Sequence, residues 1–284
     1  MKYLITGSSG QLAREFIRLL SERSEDVLAP SEASCDITDP ALVDAVTGSY
    51  RPDVILNCAA YNLVDAAETD REKAMRVNAA GPRNLALSAR TCGARLVHFS
   101  SDYVFDGAKE AGLYDEGDAV NPVNVYGESK LAGERAVQEV LPERALVLRL
   151  SWVFGEGAQN FIHKFLQRLS GTGPLKVTCD EFSVPTWTRT AAEVTLEALQ
   201  QDVSGLFHVT NSGYCSRYEW ARYVLQVRGI SRFIRPISMD SLDLPARRPK
   251  FSAMSNGAIA TNLGMQIPTW EEAVASFLKE VRSS

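Results

Sequence analysis

Two side chains of complementary acid–base chemistry stand four residues apart in the stretch YGESKLAGE, Tyr126 and Lys130. On a helix, positions i and i+4 share a face, so the phenol and the ammonium can address one small volume. A free tyrosine holds its proton up to a pH of about 10, which makes it a poor proton shuttle near neutrality. A nearby ammonium favours the phenolate and brings the pKa closer to operating pH, giving a proton donor with its tuning cation. The same spacing also describes a solvated pair on a helix surface, and the pair alone does not separate the two.

Two further elements bear on that choice. When hydride reaches a ketone carbon, negative charge builds on the oxygen, and a donor must stand there. Ser101 lies just past the apolar run Arg95–Ser100, at the carboxyl edge where open α/β sheets bind ligands, and its hydroxyl beside the Tyr126 phenol would supply that donor. Near the N-terminus, KYLITGSSGQLARE reads as strand, glycine turn, helix. Gly7 permits the tight turn, Gly10 lets the backbone approach a pyrophosphate resting on the helix N-terminus, and Gln11 and Leu12 open that helix. Ala13 takes the third fingerprint position, which only has to pack closely. A plain glycine turn would look similar, but its place after the first strand is the context a dinucleotide site requires. Together the three elements favour catalysis over a surface pair.

The cofactor's ribose is read at the tip of the second strand, where Ala29-Pro30-Ser31-Glu32 offers proline in place of the usual acid. Without that carboxylate a 2′-phosphate is not repelled, and Arg14 and Ser31 are its candidate neighbours. NADPH is therefore the expected cofactor, with NADH second. At the tip of the third strand, Cys58-Ala59-Ala60 carries small side chains that let the backbone pass close to the cofactor. Cys58 has no adjacent histidine or lysine in sequence and reads as a small apolar residue, not a nucleophile.

The elements that must position these residues follow from the apolar pattern. Strands are expected at Lys2–Thr6, Asp26–Ala29, Val54–Asn57, Arg95–Ser100 and Ala145–Arg149, with amphipathic segments at Gln11–Arg23, Pro40–Ser49, Arg71–Cys92 and Asn124–Val140 between them. Alternation of helices with almost fully apolar strands signals a parallel sheet covered on both faces. Beyond Arg149 the rhythm changes to helical patterns at Ala158–Ser170, Thr190–Gln200 and Ser216–Arg228, with short strand-like pieces at Leu175–Val177 and Gly205–Val209. Capping boxes mark helix starts at Ser216/Glu219 and Thr269/Glu272.

Composition narrows the function classes. At 284 residues with 45% hydrophobic and 23% charged residues, the chain has the make-up of a soluble globular enzyme. A net charge of -5 with no basic stripe argues against a nucleic-acid surface, and no apolar run is long enough for a membrane span. The five cysteines are scattered, as expected of reduced cytosolic thiols, and His98, His163 and His208 show no metal-ligand spacing. The N-terminus runs straight into the first strand, leaving no room for a signal peptide, so a cytoplasmic location is expected.

The ordered set of GQL, AAYNLVDAAE, SSDYVFDG, NPVNVYGESKLAGE, RLSWVFGEGAQNF and VPT resembles the dTDP-4-dehydrorhamnose reductase family of extended short-chain dehydrogenases/reductases. The resemblance is dense from Met1 to about Thr186 and thin afterwards, where no sugar-nucleotide signature stands out. Ser101 occupies a position where the family usually has threonine; the hydroxyl is kept. The fold implied is α/β, a Rossmann-type doubly wound parallel sheet over residues 1–150, with residues 151–284 forming mainly a smaller C-terminal substrate-binding lobe, some of whose segments return to the sheet.

That family reduces the 4-keto group of a nucleotide sugar to make dTDP-L-rhamnose, so the resemblance implies catalysis by Ser101, Tyr126 and Lys130, with Lys130 also bonding the nicotinamide ribose. It implies that Asp36-Ile37 reads the adenine edge, although Asp36 equally reads as a helix-capping aspartate ahead of Thr38-Asp39-Pro40. Asp102 and Tyr103 become sugar or proton-relay candidates, against a turn aspartate and a packing tyrosine. Trp152 becomes a platform for the sugar ring, against an ordinary core aromatic, with Asn62 and Val64 as further wall candidates. Arg248, with Arg247 and Lys250 between Pro245 and Pro249, suits the substrate's diphosphate, since guanidinium forks match phosphate oxygens; a solvated basic loop is the other reading. Glu15 and Glu193 are candidates for Mg2+ at a homodimer contact, as in some family members, against plain surface glutamates. Two other functions fit the same residues: an epimerase or dehydratase of the superfamily, which would need an extra acid such as Asp102, and a non-catalytic NADP-binding subunit resembling the methionine adenosyltransferase β subunit.

Overall fold

The computed structural model describes residues 1–157, 159–171 and 173–283. In chain order the first half gives β1 (Lys2–Thr6), α1 (Gln11–Glu22), β2 (Asp26–Leu28), α2 (Pro40–Tyr50), β3 (Val54–Asn57), α3 (Val64–Ala67), α4 (Arg71–Met75), α5 (Gly81–Cys92), β4 (Arg95–Ser101), α6 (Val125–Val140) and β5 (Ala145–Leu150). The second half adds β6 (Val153–Phe154), α7 (Phe161–Arg168), β7 (Leu175–Thr178), β8 (Phe182–Ser183), β9 (Thr186–Trp187) and α8 (Thr188–Gln200). It closes with β10 (Gly205–His208), β11 (Cys215–Ser216), α9 (Arg217–Arg228), β12 (Ile234–Ile237), α10 (Gly257–Leu263) and α11 (Trp270–Ser283).

Six strands form one parallel sheet in the order β2-β1-β3-β4-β5-β10. Its strands are apolar on both faces because both faces are covered, and successive residues point to opposite sides. Ile5 and Leu56 pack with Phe16 and Leu20 of α1 and Leu196 and Leu199 of α8. Their neighbours Leu4 and Ile55 pack on the other side with Leu85 and Ala89 of α5 and Val137 of α6. Each such large side chain contributes on the order of 1.5–3 kcal/mol by leaving water. The chain leaves the sheet after β5 and returns through α8 and β10, so the sixth strand comes from the second half. A third core gathers Trp152, Phe154, Trp187, Trp220 and Phe277 in the C-terminal part.

Two expected helices differ. The single helix over Arg71–Cys92 is interrupted by a wide π turn at Arg76–Ala80. The extra residue rotates Asn78 inward, where it is 1% exposed and bonded to other segments, and such bulges commonly mark functional sites. The helix expected from Ala158 starts at Phe161, with the Asn160 carboxamide capping it by accepting from the His163 amide at 2.9 Å; Ala158 lies outside the described residues. Both capping boxes are present, at Ser216/Glu219 and Thr269/Glu272. Among the described residues no helix is long and apolar enough to cross a membrane, and no three His, Cys, Asp or Glu side chains converge as metal ligands.

Candidate active site

The strand order reverses between β1 and β3, with Thr6 in register with Asn57, and this switch point opens a crevice at the carboxyl ends. The glycine turn forms its rim. Gly7 has a φ of 67°, and a Cβ there would meet the Ala59 amide nitrogen at 2.6 Å, so only glycine fits between the turn and β3's continuation. The Gly10 amide donates to the Gly7 carbonyl at 2.9 Å, and no side chain caps the start of α1, which leaves its first amides directed at an anion. A cavity of about 710 Å³ runs from this turn past Gly7, Gly10, Gln11, Asp36, Ile37, Cys58, Ala59 and Ala60, with Arg14 and Ser31 also on its wall. These residues fit a dinucleotide. Asp36 lies on the cavity wall and accepts from the Thr38 amide at 2.9 Å, a local turn bond; the helix cap expected of it belongs to Asp39, which accepts from the Ala41 and Leu42 amides. Burial pushes the Cys58 thiol well above its ordinary range, consistent with an unreactive side chain.

A second cavity of about 370 Å³ adjoins the first through Gly10, Gln11, Cys58 and Asn62, and it brings Leu12, Ser101, Tyr126 and Lys130 together. Helix α6 is pinned at its start by Asn124, whose carboxamide oxygen accepts from the Gly127 amide at 2.7 Å while its nitrogen donates to the Arg247 carbonyl at 2.7 Å. Gly127 is needed because a Cβ there would stand 2.2 Å from the Tyr103 carbonyl oxygen, so the helix start sits backbone to backbone on the segment following Ser101. This contact sets the distance between the Tyr126 phenol and Ser101.

The electrostatics depart from the expectation that Lys130 draws the Tyr126 pKa down. Burial instead lifts the phenol to about 12, and the neighbouring Ser101 side chain opposes the rise. The Lys130 ammonium is turned to the Phe99 carbonyl, donating at 2.6 Å, and burial lowers its pKa to about 8 against the field of Glu134. The lysine lines the reaction cavity with its ammonium bonded to backbone, and the phenol is modulated by Ser101 and Asp102 instead. The phenol also donates to Asn62 Oδ1 at 3.4 Å, a long contact.

Asp102 is buried beside the cleft and accepts from three hydroxyls: Ser101 at 3.0 Å, Ser183 at 2.9 Å and Ser252 at 2.6 Å. Burial raises its carboxyl to about 6, and the three serines hold it from rising further. Since Ser183 and Ser252 come from the second half of the chain, Asp102 ties the C-terminal segments to the residue next to the reacting groups. Trp152 lines the reaction cavity with φ at 39°, a strained conformation for an aromatic residue. The Arg217 guanidinium lies 3.7 Å from its ring centroid and Trp220 stacks at 5.8 Å, so neighbouring side chains occupy much of the ring.

Several sequence candidates sit elsewhere than expected. Leu63, rather than Val64, lines the reaction cavity, because Val64 opens the short helix α3. Tyr103 packs edge-on against Tyr126 at 5.7 Å as a buried support. The Arg248 fork is bonded to both Asp65 oxygens, at 2.9 and 2.8 Å, and faces a separate cavity with Arg247 and Lys250. Glu15 is bonded to Arg18 and Arg189 rather than turned toward a cation, and burial lifts the Glu193 carboxyl above its ordinary range.

Asn78 was not legible as a site residue. Its carboxamide accepts from the Tyr61 amide at 2.8 Å and donates to the Tyr61 carbonyl at 3.0 Å and Ser129 Oγ at 2.9 Å. Ser129 in turn donates to the Tyr126 carbonyl at 2.7 Å, so Asn78 joins the loop after β3 to the helix that carries Tyr126. An asparagine inside a helical pattern was the only signal.

Comparison with known proteins is consistent along the whole chain. The family model described as RmlD substrate binding domain matches residues 1–283. A dTDP-4-dehydrorhamnose reductase from Burkholderia thailandensis is 36% identical over 302 residues, covering 100% of both chains. The crystal structure of a dTDP-4-dehydrorhamnose reductase from Clostridium acetobutylicum superposes with a TM-score of 0.95 at 34% identity, covering 99% of this chain and 100% of that one. That of the Bacillus anthracis enzyme in complex with NADP gives 0.94 at 33% identity, covering 98% and 99%.

Proposed function

This chain belongs to the RmlD substrate binding domain family, and from that membership we propose that it reduces the 4-keto group of dTDP-4-dehydro-L-rhamnose with NADPH, giving dTDP-L-rhamnose. The observation that carries the reading is one cleft in which the glycine turn, Ser101, Tyr126 and Lys130 converge at the sheet's switch point. Arg14 and Ser31 on the wall of the larger cavity support the phosphorylated cofactor over NADH.

The cofactor, when bound, supplies the hydride. Its diphosphate would rest on the α1 N-terminus past Gly10, its adenine end near Asp36 and Ile37, and its phosphate near Arg14. The sugar's ketone would lie against Ser101 and Tyr126. As charge develops on the ketone oxygen, the Tyr126 phenol gives up its proton to that oxygen, becoming a phenolate, and the C4 alcohol is formed. Burial keeps the phenol protonated, so it enters the step as an acid. The Ser101 hydroxyl stabilises the developing oxyanion, and Lys130, bonded to the Phe99 carbonyl, is a cation in the same cavity as the phenolate left behind. Asn62, Leu63 and Trp152 wall the space left for the sugar.

Loss of NADPH absorbance on addition of dTDP-4-keto-6-deoxy-L-mannose tests the reading. Turnover with this sugar is expected. Cofactor binding without turnover, together with a protein partner recovered by pull-down, would replace it with the regulatory-subunit reading.

A further inference from the structure

Lys164 lies on α7, one turn after the Asn160 cap, and its side chain reaches the same cavity as Ser101, Tyr126 and Trp152. The other cations lining or overhanging the reaction cavity are committed, and Arg14 stands on the wall of the larger one. Lys130 donates to the Phe99 carbonyl, Arg217 pairs with Glu181 at 3.6 Å over the Trp152 ring, and Arg248 is held by Asp65. Among the described residues no carboxylate pairs with Lys164 within 4.0 Å, and its side chain is exposed. In a chain of net charge -5, an unpaired ammonium on the wall of the reaction cleft stands out as the place where an anion is received.

Its position is fixed from below. Asn160 is 3% exposed, and its carboxamide nitrogen donates to Gln11 Oε1 at 3.0 Å and to the Gly155 carbonyl at 2.7 Å. The start of α7 is thereby tied to the first residue of α1, the helix whose N-terminus forms the phosphate turn. Gln159 lines both cavities at this seam.

We propose that Lys164 is the cation that binds a diphosphate in the reaction cavity, beside its seam with the larger one. Both molecules of the reductase reading carry this group, the nucleotide sugar and the cofactor, and the proposal rests on that reading only for their identity. An ammonium on a flexible stem suits a phosphate as a point charge, without the fixed geometry of a guanidinium fork.

The test is calorimetric titration of the full chain and its Lys164→Met and Lys164→Arg variants with dTDP and, separately, with NADP+. Methionine keeps the aliphatic stem on an exposed helix face, so folding is expected to be unaffected. We expect Lys164→Met to weaken one of the two ligands by about tenfold, as for loss of one charged contact, with Lys164→Arg close to wild type. Loss confined to dTDP assigns the contact to the substrate, and loss confined to NADP+ assigns it to the cofactor. Wild-type affinities for both ligands in Lys164→Met would overturn the proposal. Because binding is read without turnover, failure of the reductase reading is recognised separately, by the NADPH assay on the wild type.

Discussion

The Lys130 ammonium is bonded to the Phe99 carbonyl, two residues before Ser101, and not to the Tyr126 phenol. The cation of the site is therefore anchored to the strand that ends in Ser101. It is a buried base whose folded pKa, about 8, lies below its ordinary 10.5. The folded state therefore disfavours the charged form. The penalty is full below pH 8 and disappears above 10.5, so wild-type stability relative to Lys130→Met should rise as pH climbs through that window. Urea unfolding of both proteins at pH 7.5 and 10.5 measures it; equal differences at the two pH values would contradict the burial argument. The same substitution should lower turnover.

Tyr126→Phe removes the proton donor while keeping the ring against Tyr103. Turnover is expected to fall by ~10²–10⁴-fold, the usual share of a positioned general acid. NADP+ affinity should stay within about twofold. Steady-state rates equal to wild type would remove Tyr126 from its role.

Asp102 has the opposite linkage from Lys130. Its folded pKa of about 6 stands above the ordinary 3.8, so its protonated form is favoured by folding. The stabilisation is complete below 3.8 and is lost as pH rises through 6. Relative to Asp102→Asn, the wild type should lose on the order of 3 kcal/mol between pH 4 and 7.5. Thermal unfolding at both pH values checks the sign, which would reverse if the three serines outweighed burial.

Glu134 and Arg149 form a buried two-bond pair at 2.9 and 2.8 Å between α6 and β5. Glu134→Gln leaves the guanidinium uncompensated and should cost about 3–5 kcal/mol. Replacing both, with Glu134→Leu and Arg149→Met, should recover most of that loss, and denaturant midpoints of the three proteins separate the outcomes.

In the proposed reading, Arg14 carries the preference for NADPH. Arg14→Ala should raise the KM for NADPH by about tenfold with little change for NADH, and the difference should shrink at high salt, as for a charge–phosphate contact. An equal effect on both cofactors would place the 2′-phosphate elsewhere.

The parallel sheet could be read from the chain because β3 and β5 are apolar but for Asn57 and Arg149, and near-continuous apolar runs are built into strands covered on both faces. The glycine turn was legible because Gly7 and Gly10 have a local conformational cause, and the Tyr126/Lys130 pair because i, i+4 spacing is a property of the helix itself. Asn78 was not, since its role comes from a π turn that folds it onto Tyr61 and Ser129, both distant in sequence. The assignment of Arg248 to a phosphate likewise depended on whether an acid would meet it, and Asp65 does.

By itself, then, the sequence determined the element order, the glycine turn and the helical spacing of Tyr126 and Lys130, because periodicity and local backbone preference fix these within a few residues. Tertiary structure alone decided which partner each group bonds. Burial raised Tyr126 and Asp102, lowered Lys130, turned the lysine to Phe99, and left Lys164 without an acid at the cleft. These outcomes depend on desolvation and on contacts between segments far apart in the chain, and neither is encoded in local spacing.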